Sequence, residues 1–247
     1  MTIPTYLPFY VLGGSVAIIA AVLFGLSRAL EQARWSPADR TFALRSVASV
    51  LIGWFAIAVA LAWLGAYQGA SERIPTIQYG ILVPILIGSV LIWRSALVWR
   101  LIEAVPQHWI VGVQLYRALG LIFLVLYAGG TLPGLFAWPA GAGDIAVGLL
   151  APIVAGLYAA NPQRHATSVW AWNVFGIADL VVAVGTGFLT SPSPLQLFAF
   201  ANPNEIISAF PLVLVPVFLV PLSILLHFAS LAKLRHATAS GLLKAAG

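Results

Sequence analysis

Seven apolar stretches separated by short polar connections run along this chain, roughly Leu7 to Ser27, Ser46 to Tyr67, Gln78 to Trp93, Trp109 to Gly130, Trp138 to Ala160, Ser168 to Leu189 and Phe210 to Leu231. At 1.5 Å per residue a helix needs about 20 mostly apolar residues to cross ~30 Å of hydrocarbon, so each stretch predicts a membrane span. The connections are too short to hold a soluble domain. The chain therefore reads as all-α, a single seven-helix transmembrane domain over residues 1–247. Ser36-Pro37-Ala38-Asp39 has the form of a capped helix start with proline at the first helical position, so the second span is expected to begin as a helical extension outside the bilayer. The mixed run from Trp99 to Glu103 predicts an interfacial turn of helix. Leu195 to Ala201, bracketed by Ser191-Pro192-Ser193-Pro194 and Asn202-Pro203-Asn204, is expected either to lie in the interface or to re-enter as a cap over the bundle.

Composition agrees with the pattern. Hydrophobic residues make up 61% and charged residues 8%, against about 25% charged in soluble domains. The first span has no basic residue ahead of it and no small-residue cleavage site leading into a soluble domain, so it reads as retained, with the mature chain starting near Met1. With no cysteine, disulfides, thiolate metal sites and cysteine nucleophiles are excluded.

Charge sets the expected orientation. Arg28, Arg34, Arg40 and Arg45 flank the first connection, Arg94 and Arg100 the third, and Arg164 the fifth, while Lys233, Arg235 and Lys244 follow the last span. Arg73 alone falls on the other side, and Arg117 lies inside the fourth span. Basic connections stay cytoplasmic, which predicts an external amino terminus and a cytoplasmic carboxyl terminus. The formal charge of +5 then points to anionic lipid headgroups on the cytoplasmic side as the partner, not nucleic acid. The expected location is a bacterial cytoplasmic (inner) membrane.

Three ionisable residues stand inside consecutive spans: Arg117, Asp144 and Asp179. Charge at that depth costs at least ~2.5 to 3.5 kcal/mol, so it faces a partner or a watered path and marks a candidate site. Counting from the span ends places Arg117 ~12 Å, Asp179 ~16 Å and Asp144 ~21 Å from the cytoplasmic side. Connections of about eight residues make spans four, five and six neighbours, so Arg117 should pair with Asp179 or be shared by both carboxylates. One cation against two acids predicts one structural ion pair and one proton-exchanging acid. The bland alternative is that the three charges lock the helices together, with Gln114, Tyr116 and Asn173 satisfying the remaining donors and acceptors.

Gly141 to Gly148 around Asp144 resembles Gly176 to Ala183 around Asp179, 35 residues on. In both, a glycine three positions before the aspartate and a small residue four after share its helical face, a packing signal whether or not the segments are duplicated. Pro211, Pro216 and Pro221 recur every five residues and predict a last helix kinked by prolines, either simply bent or able to gate access, with Asn204 and Glu205 as an outer mouth. His108, His165, His227 and His236 fall toward the cytoplasmic side, but no two share a helix at ligand spacing, so neither metal nor cofactor is expected. His227 reads as a hydrogen-bonded packing residue near Asn173 in depth. No lysine lies within a predicted span to hold retinal, and Walker, Gly-x-Ser-x-Gly and His-Glu-x-x-His motifs are absent.

Three functions remain. The first is a transporter or permeation protein for a small substrate, proton-linked through Asp144 or Asp179, with Arg117 tuning the acid or holding an anion. The second is a non-catalytic membrane subunit or sensor that binds an apolar ligand or partner helices. The third is a membrane-embedded enzyme on a lipid or isoprenoid substrate, for which no second catalytic group stands out.

Overall fold

In the computed structural model, which describes residues 3–72 and 74–241, the chain is helical almost throughout. The expectations placed on Met1, Arg73 and Lys244 lie outside the described residues. The helices are α1 (Leu7–Gln32), α2 (Pro37–Trp63), α3 (Ile77–Arg94), α4 (Ala96–Ala104), α5 (Gln107–Gly112), α6 (Leu121–Ala128), α7 (Gly134–Ala160), α8 (Pro162–Thr190) and α9 (Val220–Ala239). A 3-10 segment, Val113–Gly120, joins α5 to α6, and a π-turn, Val215–Leu219, precedes α9. Counting α5 to α6 as one span and the π-turn with α9 as another, seven helices are long and apolar enough to cross a membrane, as expected of an integral membrane protein.

Local chemistry sets the helix ends. Ser36 Oγ accepts the Asp39 N–H at 3.1 Å and donates to its carboxylate at 2.8 Å, so α2 starts at Pro37, nine residues before the apolar stretch. Trp99 to Glu103 lies within α4, which packs against α1. The Arg100 guanidinium sits 4.7 Å from the Trp35 ring centroid. Lys233 Nζ donates to the carbonyls of Ile102, Glu103 and Val105, satisfying the otherwise open end of α4.

The α7–α8 connection differs most from expectation. It is the single residue Asn161, whose Oδ1 accepts the Arg164 N–H at 3.0 Å and caps α8, with Pro162 next at the first helical position. Asp144 stands seventeen residues before Asn161 and Asp179 eighteen after it. The tight hairpin therefore brings the two carboxylates level, where counting from apolar boundaries had separated them by ~5 Å.

Packing centres on α7, α8, α9 and the fourth span. The last span is 56% buried, against 17% for α2 and α3. Outward positions such as Phe24, Ile57, Leu86 and Trp93 are exposed and apolar, suited to lipid. The larger apolar clusters of the interior include one with Val11, Phe123, Leu126, Phe136 and Leu212, and another with Val111, Val147, Val169 and Leu234.

The predicted seventh span is corrected at its start. Ala209 is a bend, residues 210–213 are turns, and the helical span runs from Leu214 through the π-turn into α9. Pro211 precedes the helix, Pro216 falls in the π-turn and Pro221 in the first turn of α9, so all three lie before or within the first two turns of the span. Leu195, Leu197, Phe198 and Phe200 are exposed, so that segment lies on the surface of the bundle. The strap beyond it meets the α2–α3 loop where Gly69 N–H donates to Ser208 Oγ at 3.4 Å. Gly69 allows this approach, since a Cβ there would stand 2.6 Å from the Pro192 carbonyl oxygen.

Candidate functional site

The site begins with the shape of the fourth span. An eight-residue 3-10 run exceeds the usual three or four residues, and its three-residue turn puts Gln114, Arg117 and Gly120 in one buried row. In an α-helix they would fan across about 120°. Neighbours hold the segment on three sides. Tyr10 OH of α1 donates to the Leu119 carbonyl at 2.6 Å, the Tyr116 and Ser223 hydroxyls meet at 2.7 Å, and Arg117 reaches α7. Gly148 of α7 lies beneath the Arg117–Ala118 backbone, and Gly120 faces Asp144 with no room for a side chain.

Arg117 is the hub. Its Nε donates to Asp144 Oδ1 at 2.7 Å, its Nη2 to Asp179 Oδ2, and its Nη1 to the Gly176 carbonyl at 3.1 Å. Nη1 also faces His227 Nε2 at 3.2 Å. A guanidinium has only donors, so Nε2 accepts and the ring proton sits on Nδ1, which donates to Asn173 Oδ1 at 2.8 Å. Asn173 Nδ2 in turn donates to the Val169 carbonyl at 2.8 Å and to Ser230 Oγ at 2.9 Å, and that hydroxyl also accepts from Gln107 Nε2 at 2.7 Å. A continuous hydrogen-bonded chain therefore runs from Arg117 to the start of α5. Glycines permit the approach, since a Cβ at Gly176 would strike the His227 ring and one at Gly143 would strike Asp179 Oδ1.

The two carboxylates differ in access. Side-chain exposure is 1% for Arg117, 7% for Asp179 and 16% for Asp144. Asp144 lines a cavity of about 60 Å³ that runs between Phe123, Phe136 and Phe188 toward Tyr67, Pro192 and Ser208 at the end opposite the arginine-rich connections. It also borders a second, smaller one beside Tyr10, Tyr116 and Ser223. Asp144 Oδ2 and Asp179 Oδ1 take no hydrogen bond from the described residues, the first lying against Gly120 and the second against Gly143.

Arg117, Asp144, Asp179 and Asn173 thus meet in one network. Tyr116 borders it, and Gln114 lies fully buried one 3-10 turn from Arg117 with no partner for its amide among the described residues. Of the proposed gating group, Pro216 lines the cavity with Asp144. Pro211 and Pro221 are buried elsewhere, Asn204 binds the end of α8 through its N–H to the Thr190 carbonyl at 2.9 Å, and Glu205 is exposed. Sequence reasoning left Gln107, Ser223, His227 and Ser230 out of the site. The i, i+4, i+7 spacing of the last three puts them on one face of α9, a polar stripe visible in the sequence. Arg117 fills the space where the Asp144, Asp179 and His227 side chains converge, and no group of three His, Asp or Glu among the described residues could hold a metal.

His227→Ala removes the acceptor facing Arg117 and the donor to Asn173. We expect a loss of about 1–3 kcal/mol, read as a lowered melting temperature in detergent. An unchanged melting temperature would show that the ring does not tie α8 to α9.

A family model described as a domain of unknown function, DUF8737, matches residues 74–235, which contain the whole Arg117 network. No curated protein and no solved structure matches the chain.

Proposed function

We propose, for a chain that belongs to the DUF8737 family of domains of unknown function, a membrane transporter or permeation protein in which Asp144 exchanges a proton while Asp179 anchors Arg117. The observation that carries this reading is the sharing of one guanidinium between two carboxylates, of which Asp144 has the larger opening to a cavity. With both acids ionised the cluster holds one uncompensated negative charge, and a low-dielectric interior favours taking up a positive one. The cavity offers a route from one end of the bundle, and the chain His227, Asn173, Ser230, Gln107 leads toward the other. Pro216, in the π-turn beside Asp144, is the gating candidate, since π-turns interrupt the helical ladder where local rearrangement is easiest. Arg28, Arg40, Arg94, Arg100, Arg164 and Arg235 collect at the other end, which supports a cytoplasmic face against anionic lipid, an external amino terminus and residence in a bacterial cytoplasmic membrane.

A second reading, a non-catalytic subunit that uses the same charges as a clamp, draws on the near-complete burial of Arg117. Proteoliposomes loaded with a pH-sensitive dye separate the two. After an external acid pulse, wild type should acidify the lumen faster than empty liposomes. Asp144→Asn and Asp179→Asn should each fall to the empty-liposome rate while staying folded, because either change balances the cluster at one cation and one anion. Flux in both variants equal to wild type, or no wild-type flux above empty liposomes, would leave the clamp.

A further inference from the structure

We infer that the cavity ending on Asp144 is a binding site for a small monoamine, a compact apolar body bearing one ammonium, and that this cation competes with the proton for the same carboxylate. The inference rests on the proton-exchange reading and names the substrate class for it. The walls are apolar and aromatic, with Phe123, Phe136 and Phe188 around the space and Leu180 and Val184 beside them. Asp144, whose Oδ2 takes no hydrogen bond from the described residues, is the one acidic side chain in this lining. An anion would meet the surplus negative charge of the cluster, and four of the five Arg117 N–H groups already point to Asp144, Asp179, Gly176 and His227. A neutral apolar molecule would leave that charge uncompensated. An ammonium satisfies it, and the aromatic faces favour a cation further.

Size narrows the class. The cavity, about 60 Å³, is well under half of the ~150 Å³ that accommodates a benzene ring, which fits an amine of one or two carbons. The exchange balances in charge. The alkylammonium arrives with its proton, ion-pairs with Asp144, and the proton formerly held by the cluster leaves to water.

Methylammonium, with methanol as its neutral isostere, tests this on the full chain in detergent by calorimetry and by proton release into weakly buffered solution. Wild type should bind methylammonium saturably and release about one proton per ligand, with methanol at least ~10-fold weaker. Asp144→Asn should abolish both signals. Ala183→Leu, which fills the cavity and leaves all three charges in place, should weaken methylammonium at least ~10-fold. Absent methylammonium binding in a wild type that still conducts protons would overturn the inference and spare the proton-exchange reading. So would equal binding of methanol, or undiminished binding to a folded Ala183→Leu variant. Binding without proton release would overturn the competition.

Discussion

Arg117→Met lowers the stability of the bundle by about 3–5 kcal/mol, a loss expected when one partner is removed from a buried charge network. Methionine fills a similar volume, so the loss comes from electrostatics and hydrogen bonds, not from a cavity. Asp144 and Asp179 would face each other without a cation, and the Gly176 carbonyl, His227 Nε2 and the hydrogen-bonded row behind it would lose their donor. Restoring charge balance separates the two contributions. Arg117→Met combined with Asp144→Asn and Asp179→Asn should recover part of the stability, whereas Asp144→Asn with Asp179→Asn alone should be as damaged as Arg117→Met, because it strands the guanidinium. Thermal unfolding in one detergent measures the set. A single Arg117→Met variant that melts with wild type would mean that the cluster contributes nothing to the fold.

Gly148→Val is the second large effect. Any Cβ at this position runs into the backbone nitrogen of Ala118 and approaches Ala118 Cα and the Arg117 carbonyl carbon at 3.1 Å. Both sides of the contact are backbone, so neither can swing aside, and overpacking of this kind costs about 1–3 kcal/mol or more. The strain also has a direction. It pushes the 3-10 segment off α7 and lengthens the Arg117–Asp144 bond, so proton flux should fall further than the lost stability alone explains. Gly156→Val, on the same helix with open space around its Cα, should melt close to wild type. Equal behaviour of the two variants would contradict the close approach.

The sequence revealed the spans, the α2 cap and the three buried charges because each is a local signal. An apolar run, a Ser-Pro start and an ionisable residue in hydrocarbon need no neighbour to be read. What it left hidden depends on contacts between elements. The level pairing of Asp144 with Asp179 follows from a one-residue hairpin at Asn161, whereas hydropathy started the sixth span at Ser168, seven residues beyond it. The 3-10 winding around Arg117 is held by Tyr10, Tyr116 and Gly148, which come from three different stretches or act through them. Pro211, Pro216 and Pro221 were countable, but whether they kink a helix or introduce it depends on where the helix starts. His227 was visible as a buried histidine, and the stripe that it forms with Ser223 and Ser230 needed only the helical period.

The central claim is that a cluster of one cation and two carboxylates holds one exchangeable proton. Infrared difference spectroscopy of the purified protein, titrated in hydrogen/deuterium-matched buffers, reads it directly through the C=O stretch of a protonated carboxyl group. The account predicts one such band in wild type, isotope-sensitive and titratable, lost in both Asp144→Asn and Asp179→Asn because each variant leaves a balanced ion pair. A wild type with no protonated-carboxyl band at any pH where it stays folded, or a band that survives both substitutions, would contradict it.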